Sequence, residues 1–324
     1  MIKKTILLLS TAFIMSLNVS AQEGTPSVKI FSNFNYDMSA VDTEHAYKAF
    51  EIKRAYLGYN YSFDNNLSAK ITFDVGADDV SIYTAYLKIA ALSWKATDKL
   101  TLNFGQAGTN NFKFQEKAWG KRYIAKSAQD QQKWASAADA GLTADYKLSE
   151  KLSIDAQVLN GEGYKKAQGE NGLFRGGLGL TYTMSESLAL RVNRDINPRA
   201  SYGTDDASQH ITALAITYSG NNFNLGADKS VMTNAGNQID VNKDLLSIYG
   251  TYNLNEKYAL FGRYDDVASE EEWDIENDGN FTVFGLERKM AKGVKLAINI
   301  QSWTGAEENA EAKRTLFMNL EYKF

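Results

Sequence analysis

Apolar and polar residues alternate with a period of two along most of this chain. The final segment is the clearest case, because every second residue from Leu316 to Phe324 is apolar and the residues between them are mostly polar. Since successive side chains of a β-strand point to opposite faces, this pattern predicts a strand with one apolar and one polar face. Short polar turns interrupt the alternation and predict tight hairpins. The turns lie at residues 64–66, 97–99, 149–151, 185–187, 220–221, 255–257 and 291–293.

The number and spacing of these turns predict one closed sheet. Successive turns are separated by roughly 35 residues, apart from one gap of roughly 50, as expected for the two-strand repeat of outer-membrane barrels. An opening strand near 28–37 and the closing strand to Phe324 bring the total to about sixteen, an even number. Aromatic residues lie beside most short turns, where an aromatic girdle of a membrane barrel would be. They are Phe63, Trp94, Tyr146, Tyr182, Tyr218, Tyr252, Tyr258 and Tyr322.

We therefore interpret the chain as an all-β protein that forms a transmembrane antiparallel β-barrel. A secreted β-sandwich with regular hairpins stays open as the alternative, because alternation alone does not separate the two classes. The girdle and the terminal Phe324 favour the barrel. The composition agrees, because the chain has no cysteine and only two prolines, which suits long hydrogen-bonded strands without disulfides.

The first residues have the layout of a cleavable secretory signal. Two lysines precede an apolar run over 6–17, and small residues stand at 19–21 just before Gln22. We expect a signal peptide at 1–21, a barrel domain at 22–324, and a place among the lipids of the outer membrane of a Gram-negative bacterium. Removing the two lysines changes the formal charge from −4 to −6. This acidity argues against nucleic acid as a partner.

Charged residues recur opposite the apolar face and predict a hydrated interior. A charge facing lipid near the membrane midplane would cost about 2–4 kcal/mol, so these residues should face the lumen. A barrel of about sixteen strands is also too wide for side chains alone to fill. We expect a water-filled channel for passive diffusion of small hydrophilic solutes. The basic residues predicted on its wall are Arg54, Lys70, Lys88, Arg175, Arg191 and Arg263.

One connection, at about 108–137, is longer than the others, and long ordered loops are usually functional. It is expected either to cover the surface or to fold into the lumen and narrow it. Basic residues exceed acidic ones in this segment, and rings of lysine and arginine at a constriction favour anions. By contrast, the loop at 266–279 is rich in carboxylates and predicts an acidic outer rim. The candidate constriction residues are Lys113, Lys117, Lys121, Arg122 and Lys126.

The sequence offers little support for catalysis, a metal site or a cofactor. Only two histidines are present, and neither His45 nor His210 lies in a hydrolase or metal-binding motif. We expect no enzymatic activity. Two alternatives to the channel stay open: a barrel with a plugged lumen that acts as a surface adhesin or scaffold, and a barrel hydrolase that depends on His210.

Several short segments resemble the phosphate-selective porin O and P family. They are Phe104-Gly105-Gln106, Trp119-Gly120-Lys121-Arg122-Tyr123-Ile124, Ala138-Asp139-Ala140-Gly141 and Asn160-Gly161-Glu162-Gly163-Tyr164. This resemblance implies a sixteen-stranded outer-membrane porin, often a homotrimer, whose inward-folded third loop binds phosphate or similar anions through basic residues. On matching positions here, those residues would be the five candidates of the long connection.

Overall fold

A computed structural model describes residues 24–40, 44–76, 83–169, 172–198 and 207–324. Its strands are β1 (Thr25–Asp37), β2 (Lys48–Ser62), β3 (Leu67–Gly76), β4 (Thr84–Lys95), β5 (Leu100–Gly108), β6 (Ala138–Lys147), β7 (Leu152–Leu159), β8 (Arg175–Thr183), β9 (Leu188–Asn197), β10 (Gln209–Ser219), β11 (Phe223–Thr233), β12 (Lys243–Asn253), β13 (Tyr258–Ser269), β14 (Gly279–Ala291), β15 (Val294–Gly305) and β16 (Lys313–Lys323). Each strand pairs with its neighbours in the sequence, and β1 pairs with β16 to close one antiparallel barrel. The prediction of about sixteen strands is confirmed. The expected signal peptide at 1–21 lies outside the described residues and stays a prediction.

The first and last strands close the barrel beside the end of the chain. The backbone N–H of Val28 donates to the carbonyl of Phe324 at 2.9 Å, and the N–H of Phe324 donates back at 3.1 Å. Because the sheet is antiparallel and strands follow in sequence order, the seven short turns all lie at one end of the barrel. We call this the short-turn end, and the opposite end the long-loop end.

Side chains alternate between the outer face and the lumen, as the sequence pattern predicts. On β14, Phe284 and Leu286 are exposed, whereas Val283 and Glu287 are buried inside the barrel. A continuous apolar exterior of this kind suits contact with lipid. Among the described residues, no helix is long and apolar enough to cross a membrane.

The helical segments lie in the connections. Two short helices, α1 (Lys113–Trp119) and α2 (Ala128–Gln131), lie between β5 and β6. Single 3₁₀ turns over Ala235–Asn237 and Glu270–Glu272 lie in two connections at the long-loop end. The buried apolar core is inside the barrel, where the α1–α2 connection packs against the strands.

Candidate functional site

The connection between β5 and β6, residues 109–137, folds into the lumen; we call it the constriction loop. The Nε2 atom of Gln129 donates to the Ser230 hydroxyl of β11 at 2.7 Å. The Tyr123 hydroxyl donates to Glu287 of β14 at 2.7 Å, and the Asn319 side chain of β16 donates to the Tyr123 carbonyl at 3.4 Å. Of the two arrangements left open for this loop, the protein therefore has the inward one.

Apolar side chains explain why the loop enters the barrel. The Trp119 ring packs edge to face against Tyr249 and Phe261, with centroids 5.9 and 6.3 Å apart, and its Nε1 atom donates to the Ala125 carbonyl at 2.9 Å. Gly120 ends α1 in the left-handed region, with φ of 64°, where a glycine is least strained. These contacts bury apolar area on both the loop and the wall, which stabilises the inward conformation.

A signal for this packing exists in the sequence. Phe261, Phe281 and Leu245 occupy lumen positions, where a fully hydrated pore would have polar residues. Their burial shows that part of the lumen is dry. Apolar residues on both faces of a strand could have marked the part of the wall that the loop covers.

Three of the five candidate basic side chains of the loop are paired with carboxylates. The Lys121 ammonium is buried and lies 3.1 Å from Glu287, while Arg122 forms ion pairs with both Glu116 and Asp130. Lys126 is half-buried and lies 3.4 Å from Asp130.

The remaining two candidate constriction residues are not paired with carboxylates of the described chain. Lys113 and Lys117 are exposed on α1 and form no ion pair with any described residue.

The electrostatics of the loop follow from burial and pairing together. Burial by itself would raise the pKa of Asp130, but Arg122 and Lys126 more than offset it and hold that pKa below its ordinary value. Burial lowers the pKa of Lys121, and Glu287 offsets only part of this effect. The charges of Lys121, Arg122 and Lys126 are therefore largely balanced by their neighbours, and the loop does not present an unopposed basic ring.

Three of the predicted wall residues hold the loop in place. Arg175, Arg191 and Arg263 are each less than a tenth exposed. Each forms an ion pair with an aspartate of the barrel wall and donates to a main-chain carbonyl of the constriction loop. The aspartate partners are Asp195, Asp155 and Asp265, and the loop carbonyls are those of Trp134 at 3.4 Å, Asn110 at 3.1 Å and Lys126. Sequence reasoning predicted these arginines as pore wall and did not foresee their contacts with the loop.

Open space is left between the loop and strands β1–β4. One cavity of about 740 Å³ reaches the short-turn end, and a second of about 490 Å³ lies toward the long-loop end. Tyr56 of β2 and Arg122 of the loop line both cavities, and their Oη and Nε atoms are 3.5 Å apart. The two cavities therefore meet at this pair, which marks the constriction.

The other predicted wall residues lie along this passage. Asp74 of β3 is fully buried and pairs with Arg54 at 3.2 Å and with Lys88 at 3.8 Å. Lys70 is exposed and lines the larger cavity. The charged residues of that cavity are mostly basic. They are Lys29, Lys70, Lys88, Arg122, Lys292 and Lys323, with Glu116 as the single acidic member.

A further cavity of about 590 Å³ lies beneath α1, also near the short-turn end. Lys117, Lys121 and Lys295 line it together with Glu287. The remaining polar lining is mainly threonine, serine and asparagine. Basic side chains of the strands and of the loop thus outnumber acidic ones at the short-turn end of the lumen.

Comparison with known proteins gives similarity in fold without similarity in sequence. No protein-family model and no curated protein matches this sequence. The outer membrane channel DcaP of Acinetobacter baumannii superposes with a TM-score of 0.70 at 12% identity, over 95% of this chain and 99% of that chain. OprB of Pseudomonas putida superposes with a TM-score of 0.74 at 8% identity, over 94% of this chain and 95% of that chain. The trimer form of OmpT of Vibrio cholerae superposes with a TM-score of 0.62 at 14% identity, over 93% of this chain and 99% of that chain.

This chain has the fold of an outer-membrane β-barrel. At such low identity the likeness carries the fold alone, so the resemblance to phosphate-selective porins stays a prediction.

The described residues also show the surroundings of His210 and of the acidic rim. They contain no group of three or more histidine, aspartate or glutamate side chains arranged to hold a metal ion. His210 is half-buried in β10 opposite Thr233. At the long-loop rim, Lys243 pairs with Asp274 and lies 3.5 Å from Asp278, so part of the acidic cluster predicted at 266–279 is neutralised.

Proposed function

We propose that this protein is an outer-membrane porin through which small hydrophilic solutes diffuse passively, with a preference for anions such as phosphate. The observation that carries the channel is the pair of cavities that meet at Tyr56 and Arg122, inside a barrel that the constriction loop partly fills. Passage needs no cofactor, no energy coupling and no catalytic group.

The anion preference is supported by the distribution of charge along the passage. The cavity at the short-turn end has six basic residues and one acidic residue, whereas the rim loop at the opposite end is rich in carboxylates. An anion that passes the constriction meets several weakly attracting lysines, none of which encloses it. Weak binding at several positions lets an ion enter a pore and also leave it.

The orientation and assembly belong to the same proposal. In barrels of this architecture the short turns face the periplasm and the long loops face the outside. The basic cavity would then be the periplasmic exit of the channel. We also expect a homotrimer, as implied by the resemblance to phosphate-selective porins; the similar barrel OmpT has been obtained in a trimer form.

The test is the current through the refolded barrel in a planar bilayer, with the reversal potential measured across a potassium chloride gradient. We expect stepwise conductance with chloride preference. A triple variant, Lys29→Gln, Lys292→Gln and Lys323→Gln, removes charge from the larger cavity. A lysine about 10 Å from the ion path should raise the local concentration of anions roughly twofold at low salt, and by less at high salt.

The matched control makes the same charge change at the same end of the barrel. Lys99→Gln, Lys151→Gln and Lys257→Gln alter exposed turns and should leave the reversal potential close to that of the unmodified protein. Cation preference in the unmodified protein would refute the anion selectivity, but the proposal of a channel would stand. An equal shift of the reversal potential in both triple variants would show that the residues lining the cavity do not determine the ion selectivity.

A second candidate function is a plugged barrel that acts as a surface scaffold. The observation that favours it is the 3.5 Å contact between Arg122 and Tyr56, which lies where the two cavities meet. Complete absence of current through correctly folded barrels would favour this function over the porin.

A further inference from the structure

A second connection also turns into the barrel. It follows β7, and its first residues run against the start of β6 rather than outward. The N–H of Asn160 donates to the Ala140 carbonyl at 2.9 Å, and the N–H of Tyr164 donates to the Ala138 carbonyl at 3.0 Å. The N–H of Gly161 donates to the Asp139 carboxylate at 2.7 Å. We call residues 160–169 the second loop.

Gly163 sets the path of this loop. Its φ is 85°, and an added Cβ would lie 2.5 Å from the Cβ and Oγ atoms of Ser136, near the end of the constriction loop. Any other residue at this position would be strained and would push the two loops apart. The second loop is therefore packed directly against the constriction loop.

This path brings Tyr164 to the wall of the passage. Its hydroxyl donates to the buried Asp74 carboxylate at 2.6 Å, and its ring meets Tyr86 edge to face at 6.4 Å. The Lys88 ammonium lies 5.3 Å from the centroid of the Tyr164 ring and 4.9 Å from that of Tyr56. The cation is thus held between two aromatic rings, a geometry that is attractive and directional.

The phenol of Tyr164 is well suited to hold this position. Burial and the hydrogen bond to Asp74 raise the pKa of Tyr164 well above its ordinary value, so it stays a hydrogen-bond donor. Asp74 accepts this bond and also pairs with Arg54 at 3.2 Å. With both partners in place, the carboxylate holds Lys88 only at 3.8 Å, and Lys88 keeps its contact with the larger cavity.

We propose that the second loop supports the pore wall from behind and that Tyr164 is a positioning residue, which fixes the Lys88 ammonium at the wall of the constriction. Tyr164 does not line either cavity of the passage, whereas Lys88 does, so Tyr164 acts through Lys88. This inference rests on the proposed function for its effect on selectivity. The placement of Lys88 by Tyr164 can be tested without any current.

The first measurement is a double-mutant cycle on the reversal potential. Lys88→Met should lower the ratio of anion to cation permeability by roughly twofold or more, the factor expected when one positive charge about 10 Å from the ion path is removed at low salt. Tyr164→Ala should lower it part of the way, and Tyr164→Phe, which keeps the ring, should have a smaller effect. Tyr164→Ala should add nothing in the Lys88→Met background, because its target is gone.

Two controls separate positioning from damage to the fold. Tyr146→Ala removes an exposed tyrosine from the outer face and should leave the reversal potential unchanged. Gly163→Ala leaves Tyr164 intact but displaces it, and should reproduce the effect of Tyr164→Ala. The proposal is overturned if Tyr164→Ala shifts the reversal potential equally with and without Lys88, or if Lys88→Met has no effect.

The second measurement is the rate at which a water-soluble amine-acetylating reagent labels Lys88 in the refolded barrel, followed by mass spectrometry. Tyr164→Ala should raise this rate several-fold, because the ammonium is no longer covered by the ring. An unchanged rate would overturn the positioning role. Absence of current through the unmodified barrel would refute the proposed channel. If the labelling rate still rises in Tyr164→Ala, the placement of Lys88 by Tyr164 is retained.

Discussion

The attachment of the constriction loop to β14 depends on one carboxylate. Glu287 is buried and accepts hydrogen bonds from Lys121 at 3.1 Å and from the Tyr123 hydroxyl at 2.7 Å. Both donors lie in the part of the loop that places Arg122 opposite Tyr56. Glu287→Ala removes both bonds, and Glu287→Gln removes the ion pair but leaves an oxygen that can still accept from Tyr123.

The expected size of the effect follows from these two bonds. A hydrogen bond to a charged group contributes about 1.5–3 kcal/mol, so Glu287→Ala should weaken the attachment by about 3 kcal/mol. That is roughly a 100-fold change in the equilibrium between attached and released loop. The other contacts of this segment with β15 and β16 are longer, from Gln301 to the Ile124 carbonyl at 3.3 Å and from Asn319 to the Tyr123 carbonyl at 3.4 Å. They should not compensate fully.

Lys121 determines how the loop responds. Removing one partner of a buried ion pair leaves an uncompensated charge, which is strongly unfavourable. Lys121 lines the cavity of about 590 Å³ beneath α1, so its ammonium can move into water there. We therefore expect the segment around Lys121 and Tyr123 to detach from β14 while the rest of the loop stays attached and the barrel stays folded.

Single-channel recording is the appropriate assay. Glu287→Ala should give a larger mean conductance and more current noise, and Glu287→Gln an intermediate result. Glu321→Gln is the matched control, because this carboxylate lies on the neighbouring wall, 4.0 Å from Lys295, and makes no hydrogen bond to the loop within the described chain. Conductance and noise of Glu287→Ala equal to those of the unmodified barrel would show that this attachment does not hold the loop.

Two further predictions concern pH and the lipid face. Because Arg122 and Lys126 hold the pKa of Asp130 below its ordinary value, its ion pairs are present above that value and are lost as pH falls through the lowered pKa. The difference in conductance between the unmodified barrel and Asp130→Asn should therefore stay constant down to the ordinary pKa of an aspartate, about 3.9, and disappear only below it; a difference that already disappears near pH 6 would contradict this. Leu214, exposed at the middle of β10, should face lipid, so Leu214→Arg should lower the free energy of unfolding by about 2–4 kcal/mol in urea titrations of the lipid-embedded barrel. Asn221→Arg in an exposed turn should leave it unchanged, and an equal loss in both variants would contradict a lipid-facing Leu214.

The charges of the lumen show where sequence reasoning stops. The alternation predicted that Arg175, Arg191 and Arg263 point inward, and they do. It could not distinguish an arginine in open water from one bonded to a loop, because both occupy the same face of a strand. Asn110 and Arg191 are 81 residues apart, and Arg263 and Lys126 are 137 apart. No local pattern encodes such contacts.

The second loop illustrates the same limit. The segment Asn160-Gly161-Glu162-Gly163-Tyr164 stood out in the sequence, yet nothing in it indicates that Tyr164 reaches Asp74, 90 residues earlier. The glycines signal an unusual turn. Which way the turn sends the chain depends on Ser136 of the neighbouring loop.

The sequence by itself determined the number of strands, the position of the short turns and the side chains that face the lumen. These features are local, because a period of two and a tight turn are properties of a few consecutive residues. Only the tertiary structure decided that the long loop lies inside the barrel, that carboxylates balance three of its basic residues, and that the passage runs beside β1–β4. Those outcomes depend on which distant side chains meet across the lumen, and the closure of the barrel brings them together.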